Sequence, residues 1–143
     1  MNREILFKAK RKDNGEWVEG QYVYITNPLT EDGKPIKHLI CNGTSIFNDL
    51  IDPVTLCQYT GLTDKDGEKI WENDIVECNK RKEECGLYKV IWRKEYADFG
   101  VVPISNTCIG QYPIGFSYGK TLHGRDYKSV GNIFDNPELL EVE

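Results

Sequence analysis

The segment from Gly115 to Thr121 contains the residue types of a phosphate-binding loop. It reads GFSYGKT and ends in Gly-Lys-Thr. A phosphate-binding loop needs four residues between its glycines, so that successive backbone amides surround the anion, and this segment has three. No helical periodicity follows Thr121, so the helix whose N-terminus would hold the phosphate is not predicted. We therefore interpret the segment as a glycine-rich loop and predict no bound cofactor.

Cysteine and histidine side chains could bind a metal ion, but their spacing does not favour it. His38 and Cys41 form one close pair, whereas structural zinc sites usually present two such pairs. On a strand these two side chains would point to opposite faces. Cys78 and Cys85 could form only a partial ligand set. We predict no metal site and interpret the cysteines as free thiols. The five cysteines are Cys41, Cys57, Cys78, Cys85 and Cys108.

The groups that could catalyse a reaction are few. Of the two histidines, His123 lies in the glycine-rich loop beside Arg125 and Asp126, where it could act as a base. A cluster of acidic residues could bind a cation, but its spacing is typical of turns, in which short Asp side chains accept backbone hydrogen bonds. The cluster comprises Asp64, Asp66, Glu72 and Asp74. We predict no catalytic residue, no small-molecule substrate and no enzymatic activity.

A basic and aromatic stretch, residues 80–94, could bind nucleic acid. A small β-barrel can stack bases on exposed aromatic rings while cations contact the phosphates. On a strand, however, Tyr88, Val90 and Trp92 share one face, which is typical of a half-buried strand and favours a core position for the rings. Nucleic-acid binding is therefore our alternative function. Its candidate residues are Lys80, Arg81, Lys82, Lys89, Arg93 and Lys94.

Composition and charge set limits on the class of protein. The 143 residues, 39% hydrophobic and 29% charged, are typical of a globular chain, and the net charge of −5 argues against coating nucleic acid over the whole surface. The first dozen residues include five cations and one anion, whereas the last ten include four anions and no cation. The start lacks the apolar core of a signal peptide, and no apolar run approaches the ~20 residues of a membrane helix. We expect a cytoplasmic protein without membrane contact.

Turn signals divide the chain into short strands. Asn14-Gly15 predicts a hairpin between an alternating strand around Ile5 to Ala9 and a second strand, Trp17 to Ile25. Asp66-Gly67 predicts another reversal within Gln58 to Glu77, the segment that we expect to be the centre of the fold. The pattern predicts a mainly β protein with small, barrel-like or meander sheets. We expect one domain, 1–143, with a division into two small β modules, 1–50 and 51–143, as the alternative.

The last residues of the chain predict a short helix, in contrast to the strands before them. Asn136-Pro137-Glu138 has the N-cap, first-position proline and early acidic residue of a short C-terminal helix. Before it, Pro103 to Gly124 is rich in glycine and proline, which predicts an irregular arm.

Three segments of the chain resemble the YopX family, small proteins encoded by phages and prophages. The central one is Gln58 to Val76, which matches QYTGL-x-DK-x-G-x-x-I-x-E-x-D-I-V. The opening matches at Arg3, Glu4, Ile5, Phe7 and Ala9, and Val130 to Leu140 resembles the closing motif. Cys57 and Asn73 stand where many members have glycine. The resemblance implies a mostly β chain of phage origin, and the family has no established biochemical activity.

The abundance of aromatic residues favours an interaction role. Eight Tyr, three Trp and five Phe exceed what the interior of a small barrel needs, and surface aromatic residues favour interfaces. The arm could reach a neighbouring subunit, with Tyr112, Phe116 and Tyr118 in the interface. We therefore predict a non-enzymatic homo-oligomeric interaction module, with nucleic-acid binding as the alternative.

Overall fold

A computed structural model describes residues 3–26, 29–34, 37–42, 49–78, 86–104 and 120–140. Within these ranges the chain forms eleven strands and three short 3₁₀ turns, the latter at Pro53–Thr55, Gly124–Asp126 and Pro137–Leu140. None of the described elements is a helix long and apolar enough to cross a membrane. The strands are β1 (Phe7–Lys10), β2 (Trp17–Ile25), β3 (Lys37–Cys41), β4 (Asp49–Leu50), β5 (Cys57–Thr63), β6 (Lys69–Trp71), β7 (Asp74–Cys78), β8 (Gly86–Arg93), β9 (Asp98–Pro103), β10 (Lys120–Thr121) and β11 (Lys128–Asn132).

The internal contacts divide the chain into two compact units. The first is Met1–Tyr59 and the second is Thr60–Glu143. The division falls within β5, later in the chain than the module boundary suggested by the sequence. The prediction of one domain, 1–143, with two modules, 1–50 and 51–143, as the alternative, stays a prediction.

The first unit contains β1 to β4 and the start of β5, which pair as an antiparallel sheet in the order β4-β3-β2-β1-β5, and β6 follows β5 in that order. The predicted first hairpin is confirmed, because β1 pairs with β2 and Gly15 adopts the left-handed φ of 74° that its turn requires. The alternation of β1 is also confirmed. Ala9 is buried with Ile40 and Ile51 in a small core, whereas Lys8 and Lys10 lie on the opposite face of the strand.

The second unit contains a five-stranded antiparallel sheet in the order β10-β9-β8-β7-β11. Tyr88 and Val90 are fully buried in its core, as the alternation of β8 predicts. Trp92 shares their face but is 49% exposed, so the core interpretation was wrong for this ring. The buried cluster consists of Ile70, Val76, Cys78, Tyr88, Val90, Val101, Leu122 and Tyr127.

The mainly β prediction is confirmed, but two of its details are not. The order of the described strands is open in each sheet, so these strands do not form a closed barrel. The short C-terminal helix is not confirmed, because Pro137–Leu140 form a single 3₁₀ turn. The side-chain carbonyl of Asn136 accepts a hydrogen bond from the backbone N–H of Asn132 at 3.2 Å. Of the predicted arm, residues 105–119 lie outside the described ranges.

Candidate binding surface at the β8–β9 hairpin

Strands β8 and β9 form a hairpin whose end carries several of the residues singled out in the sequence. The turn is Lys94 to Ala97, and Ala97 has a left-handed φ of 50°. The pairing register places Trp92 opposite Phe99 and Arg93 opposite Asp98. Side chains at directly opposed positions lie on the same face of a sheet. The hairpin therefore has one aromatic face and one charged face at its end.

Arg93 is the structural centre of the charged face. Its Nε and Nη2 donate to the two carboxylate oxygens of Asp98, each at 2.7 Å. Nη2 also donates to Oγ1 of Thr121 on β10 at 2.9 Å, so one guanidinium connects three strands. Hydrogen bonding to Arg93 lowers the pKa of Asp98, and hydrogen bonding to Asp98 raises the pKa of Arg93. The side chain of Arg93 is only 7% exposed, and its positive charge is matched by Asp98.

Close packing over glycine fixes the position of Arg93. A Cβ atom on Gly100 would lie 2.6 Å from Cδ of Arg93, so the arginine side chain occupies the space above this glycine. On its other side, the Cζ atom of Arg93 lies 4.2 Å from the ring centroid of Tyr96. Such a stack is a favourable cation–π contact.

Two aromatic rings at the hairpin end are exposed although neighbouring groups hold them in place. Trp92 is 49% exposed and Tyr96 is 59% exposed. The ring of Trp92 meets Phe99 edge to face, with centroids 5.1 Å apart. Tyr96 is covered on one side by the Arg93 guanidinium. We call Trp92 and Tyr96 the hairpin aromatic pair.

The acidic cluster of the central segment forms turns, as its spacing predicts. Oδ1 of Asp64 accepts hydrogen bonds from the backbone N–H groups of Asp66 and Glu68, both at 2.9 Å. Oδ2 of Asp74 accepts from the backbone N–H of Trp71 at 2.9 Å. Burial raises the pKa of Asp64, but backbone N–H donors outweigh burial and leave the pKa below its usual value. These two carboxylates stabilise the backbone.

Comparison with known proteins identifies the family. The family model described as YopX protein matches residues 6–141, nearly the whole chain. The chain belongs to the YopX family. A crystal structure of protein EF1440 from Enterococcus faecalis is similar, with 19% sequence identity, a TM-score of 0.52, and coverage of 98% of this chain and 100% of that one. That likeness shows a shared fold. No curated protein matches the sequence.

The two positions at which the resemblance predicts a departure from the usual family pattern, Cys57 and Asn73, fit their surroundings. Asn73 adopts a left-handed φ of 71°, which Asn tolerates better than most residues. Its backbone N–H donates to the carbonyl of Val90 at 2.9 Å, which ties the turn to β8. Cys57 is buried, and its thiol lies 3.2 Å from the carbonyl oxygen of Thr55. Both side chains therefore fit the YopX fold.

The structure brings together only part of the predicted nucleic-acid site. Arg93 and Lys94 are adjacent at the hairpin end, and Lys89 lies half-buried on the same face of β8 as Arg93. The remaining candidates lie outside the described residues: Lys80, Arg81 and Lys82 of this site, and Tyr112, Phe116 and Tyr118 of the predicted interface.

Sequence reasoning missed the partners of Arg93. The contacts of Arg93 with Asp98 and Thr121 depend on the strand register and on the pairing of β10 with β9. No local sequence pattern indicates either of these. One signal was available, because Arg93 and Asp98 have opposite charges and flank a four-residue turn. Opposite charges in paired positions across a hairpin favour an ion pair.

The other predicted candidates have structural neighbours. His38 stacks on Tyr22, and its Nδ1 lies 2.5 Å from the Tyr22 hydroxyl. Burial, followed by the neighbouring Tyr24, raises the pKa of Tyr22. His123 is exposed at the start of the Gly124–Asp126 turn. Within the described part of the chain, no three His, Cys, Asp or Glu side chains form a group that could hold a metal ion.

Proposed function

We propose that this YopX-family protein is a phage- or prophage-encoded interaction module that works by binding, without catalysis, and assembles with copies of itself in the bacterial cytoplasm. The hairpin aromatic pair carries the proposal. Interfaces are enriched in Trp, Tyr and Arg, and a few well-packed aromatic anchors supply most of their binding energy.

The contacts around the pair explain why it suits an interface. Phe99 packs against Trp92 in an edge-to-face arrangement, and Arg93 lies over Tyr96, so both rings are held in position before a partner binds. A side chain that is already held loses less conformational entropy when it becomes buried. About half of each ring residue remains open to solvent, with exposures of 49% and 59%. Burying that surface would stabilise a complex.

The predicted arm supports self-assembly through its attachment points. Strand β9 ends at Pro103, and β10 begins at Lys120, which pairs with Val101 of β9. The two strands that flank the predicted arm, β9 and β10, are therefore paired with each other at one sheet edge. Thr121, directly after Lys120, is bonded to Arg93. Strand β10 and the β8–β9 hairpin are thus connected by one hydrogen bond.

Nucleic-acid binding through residues 80–94 is the second candidate function. The exposed rings of Trp92 and Tyr96 beside the exposed Lys94 favour it, since bases stack on aromatic side chains. The matched charge of Arg93 counts against it. A phosphate that contacted the guanidinium would have to replace a carboxylate already bound at 2.7 Å.

Native mass tests the assembly proposal. We expect the wild-type protein to elute as a discrete multiple of 16.5 kDa in size-exclusion chromatography with light scattering. The double variant Trp92→Ala/Tyr96→Ala should have a lower mass and unchanged secondary structure. Tyr24→Ala/Val54→Ala is a matched control, because these residues are 53% and 76% exposed and lie in the first unit. It should keep the wild-type mass.

Two outcomes would contradict the proposal. A wild-type protein that stays monomeric at every concentration removes self-assembly. An unchanged oligomer in Trp92→Ala/Tyr96→Ala shows that the hairpin aromatic pair is not in the interface. The ratio of absorbance at 260 to 280 nm, recorded in the same run, distinguishes the second candidate function. A monomer with co-eluting nucleic acid that high salt removes would favour it.

A further inference from the structure

Strand β2 is longer than the strand that covers one of its two edges. β1 pairs with β2 over Trp17 to Gly20, whereas β3 pairs with β2 over Gln21 to Ile25. In the order of the sheet, β2 lies between these two strands. Within the described part of the chain, the second half of β2 is therefore paired on the β3 side only. We call the other side of this half, along Tyr22 to Ile25, the open edge of β2.

Hydrogen bonds around β1 show which residues of β2 point toward the β1 side. The backbone N–H of Lys10 donates to Oγ1 of Thr55 at 2.8 Å, and its carbonyl accepts from the N–H of Asp52 at 2.9 Å. Lys10 therefore points its backbone groups away from β2. Because these groups alternate between the two sides of an antiparallel strand, β1 bonds to β2 opposite Val18 and Gly20.

The same alternation continues along β2 beyond the end of β1. It directs the backbone N–H and C=O groups of Tyr22 and Tyr24 to the open edge, and those of the residues that follow each tyrosine to β3. Ile5 is the residue that would continue β1 opposite Tyr22, but its carbonyl accepts a hydrogen bond from the side-chain amide of Gln21 at 2.9 Å. Two residues thus present two donors and two acceptors at the open edge.

The side chains of the open edge suit a neighbouring strand. Tyr24 is 53% exposed on one face of the sheet, and Val23 and Ile25 are 39% and 37% exposed on the other. The ring centroids of Tyr24 and Tyr22 are 5.9 Å apart, so the exposed ring rests against another. Residues 20–26 include no charged side chain, whereas charges commonly protect the sheet edges of natural proteins. An added strand would bury apolar surface on both faces.

The outer edge of β11 shows how the same protein closes a sheet edge. The N–H of Ser129 donates to Oδ2 of Asp64 at 3.0 Å, and the N–H of Asn132 donates to Oδ1 of Asn136 at 3.2 Å. The N–H of Asn136 in turn donates to the carbonyl of Asn132 at 2.9 Å. These bonds occupy backbone groups with which a further strand would pair. Among the residues that the structure describes, none closes the open edge of β2 in this way.

We propose that the open edge of β2 binds a short extended peptide of another protein, which pairs with Tyr22 and Tyr24 as an added strand. In strand addition, hydrogen bonds recognise the peptide backbone, and alternate side chains contact the two faces of the sheet. The peptide is uncharged at its centre, because a charge opposite this edge would lose water without gaining a partner. Its β-branched or aromatic residues lie beside Val23, Tyr24 and Ile25.

The peptide site is separate from the proposed assembly surface. The open edge lies in the first unit, whereas the hairpin aromatic pair belongs to the second. The occupant is a segment of another protein, so the native mass of the purified protein does not depend on it.

Amide hydrogen exchange in the wild-type protein tests the proposal, with a capped six-residue peptide of alternating threonine and valine as the probe. In the free protein, the amides of Tyr22 and Tyr24 should exchange faster than those of Val23 and Ile25, which bond to β3. At about ten times its dissociation constant, the peptide should slow exchange of the two tyrosine amides about tenfold. The same peptide with N-methylated backbone amides is the control and should leave their exchange unchanged.

A proline substitution separates the backbone of Tyr24 from its side chain. Tyr24→Pro removes the N–H that points to the open edge and keeps the hydrogen bonds between β2 and β3, in which this N–H takes no part. Tyr24→Thr also removes the ring but keeps the N–H, so it is the matched control. Tyr24→Pro should bind the peptide about tenfold more weakly than Tyr24→Thr.

Three outcomes would overturn the proposal. The peptide could leave the exchange of the Tyr22 and Tyr24 amides unchanged, or Tyr24→Pro could bind it as tightly as Tyr24→Thr. In the third outcome, these amides are protected in the free protein and the protection rises with protein concentration, because a second copy then occupies the edge. If Tyr24→Pro does not fold, the exchange measurement on the wild-type protein still decides.

Discussion

The carboxylate of Asp64 accepts a hydrogen bond from the backbone N–H of Ser129 at 3.0 Å, although 65 residues of sequence separate them. The pairing of β11 with β7 shifts register between Ser129 and Gly131, and such an irregularity leaves backbone groups unpaired in the ladder. Asp64 bonds the N–H of Ser129, and Oδ2 of Asp74 lies 3.3 Å from its hydroxyl oxygen. Asp64 and Asp74, which both belong to the segment that resembles the YopX signature, thus bind Ser129 of β11. This strand leads into the closing motif.

Replacing Asp64 with Asn should therefore destabilise the second unit. Asn keeps the shape of the side chain but turns an N–H₂ group toward at least one of the three backbone donors. An unsatisfied buried donor costs about 1–3 kcal/mol, and Asp64 is only 5% exposed. Urea unfolding should show this loss of free energy for Asp64→Asn, whereas the exposed Asp66→Asn should change it by less than about 0.5 kcal/mol. Equal stability of the two variants would show that the contact to Ser129 contributes nothing.

The lowered pKa of Asp64 predicts a loss of stability in acid. Its pKa lies below the ordinary value of 3.8 in the folded protein, so the folded state favours the charged form. This contribution is complete above the unfolded pKa, at about pH 5 and higher, and is lost as the pH falls through the lowered pKa. Asp98 acts in the same direction because Arg93 lowers its pKa. Urea midpoints measured between pH 7 and acid should fall less for Asp64→Asn than for the wild type. A parallel decrease would assign the acid sensitivity to other groups.

Some contacts of Asp64 can be predicted from the sequence and others cannot. Its bonds to Asp66 and Glu68 follow from short spacing, because an Asp side chain reaches N–H groups two and four residues ahead. The bond to Ser129 depends on a register shift in a distant strand, which has no local signal. The same distinction holds in the first unit. Asn14-Gly15 and period-two alternation predict the β1–β2 hairpin, but only the register shows that Lys10 faces Trp17.

The hairpin end was harder to predict from sequence for a related reason. Alternation correctly assigns Tyr88 and Val90 to the core. The same argument wrongly predicts a core position for Trp92. The core ends before Trp92, whereas Arg93 on the other face is buried by Asp98 and Gly100. Alternation describes which face a residue occupies, and the extent of the core along the strand depends on neighbouring strands.

The ion pair between Arg93 and Asp98 should stabilise the hairpin more than an ion pair between a lysine at position 93 and Asp98 would. Lysine lacks the planar fork that binds both carboxylate oxygens and still reaches Thr121. We expect Arg93→Lys to lower the free energy of unfolding by about 1–3 kcal/mol, since the site is nearly closed to solvent. Lys89→Arg, on the same strand, should change it by less than about 0.5 kcal/mol. A double-mutant cycle with Asp98→Asn measures the coupling, and a coupling of zero would show that the pair does not stabilise the fold.

Gly124 marks a close approach of two backbone segments in the second unit, and its substitution should be costly. A Cβ atom at this position would lie 2.1 Å from the carbonyl oxygen of Thr63 in β5 and 3.2 Å from its carbon. Both neighbours belong to the backbone, so the clash cannot be relieved by rotating a side chain. We expect Gly124→Ala to lower the free energy of unfolding by about 2–3 kcal/mol, measured by urea titration. Arg125→Ala, in the same 3₁₀ turn and exposed, should change it by less than about 0.5 kcal/mol. If the two variants are equally stable, β5 and the Gly124–Asp126 turn are not in close contact in solution.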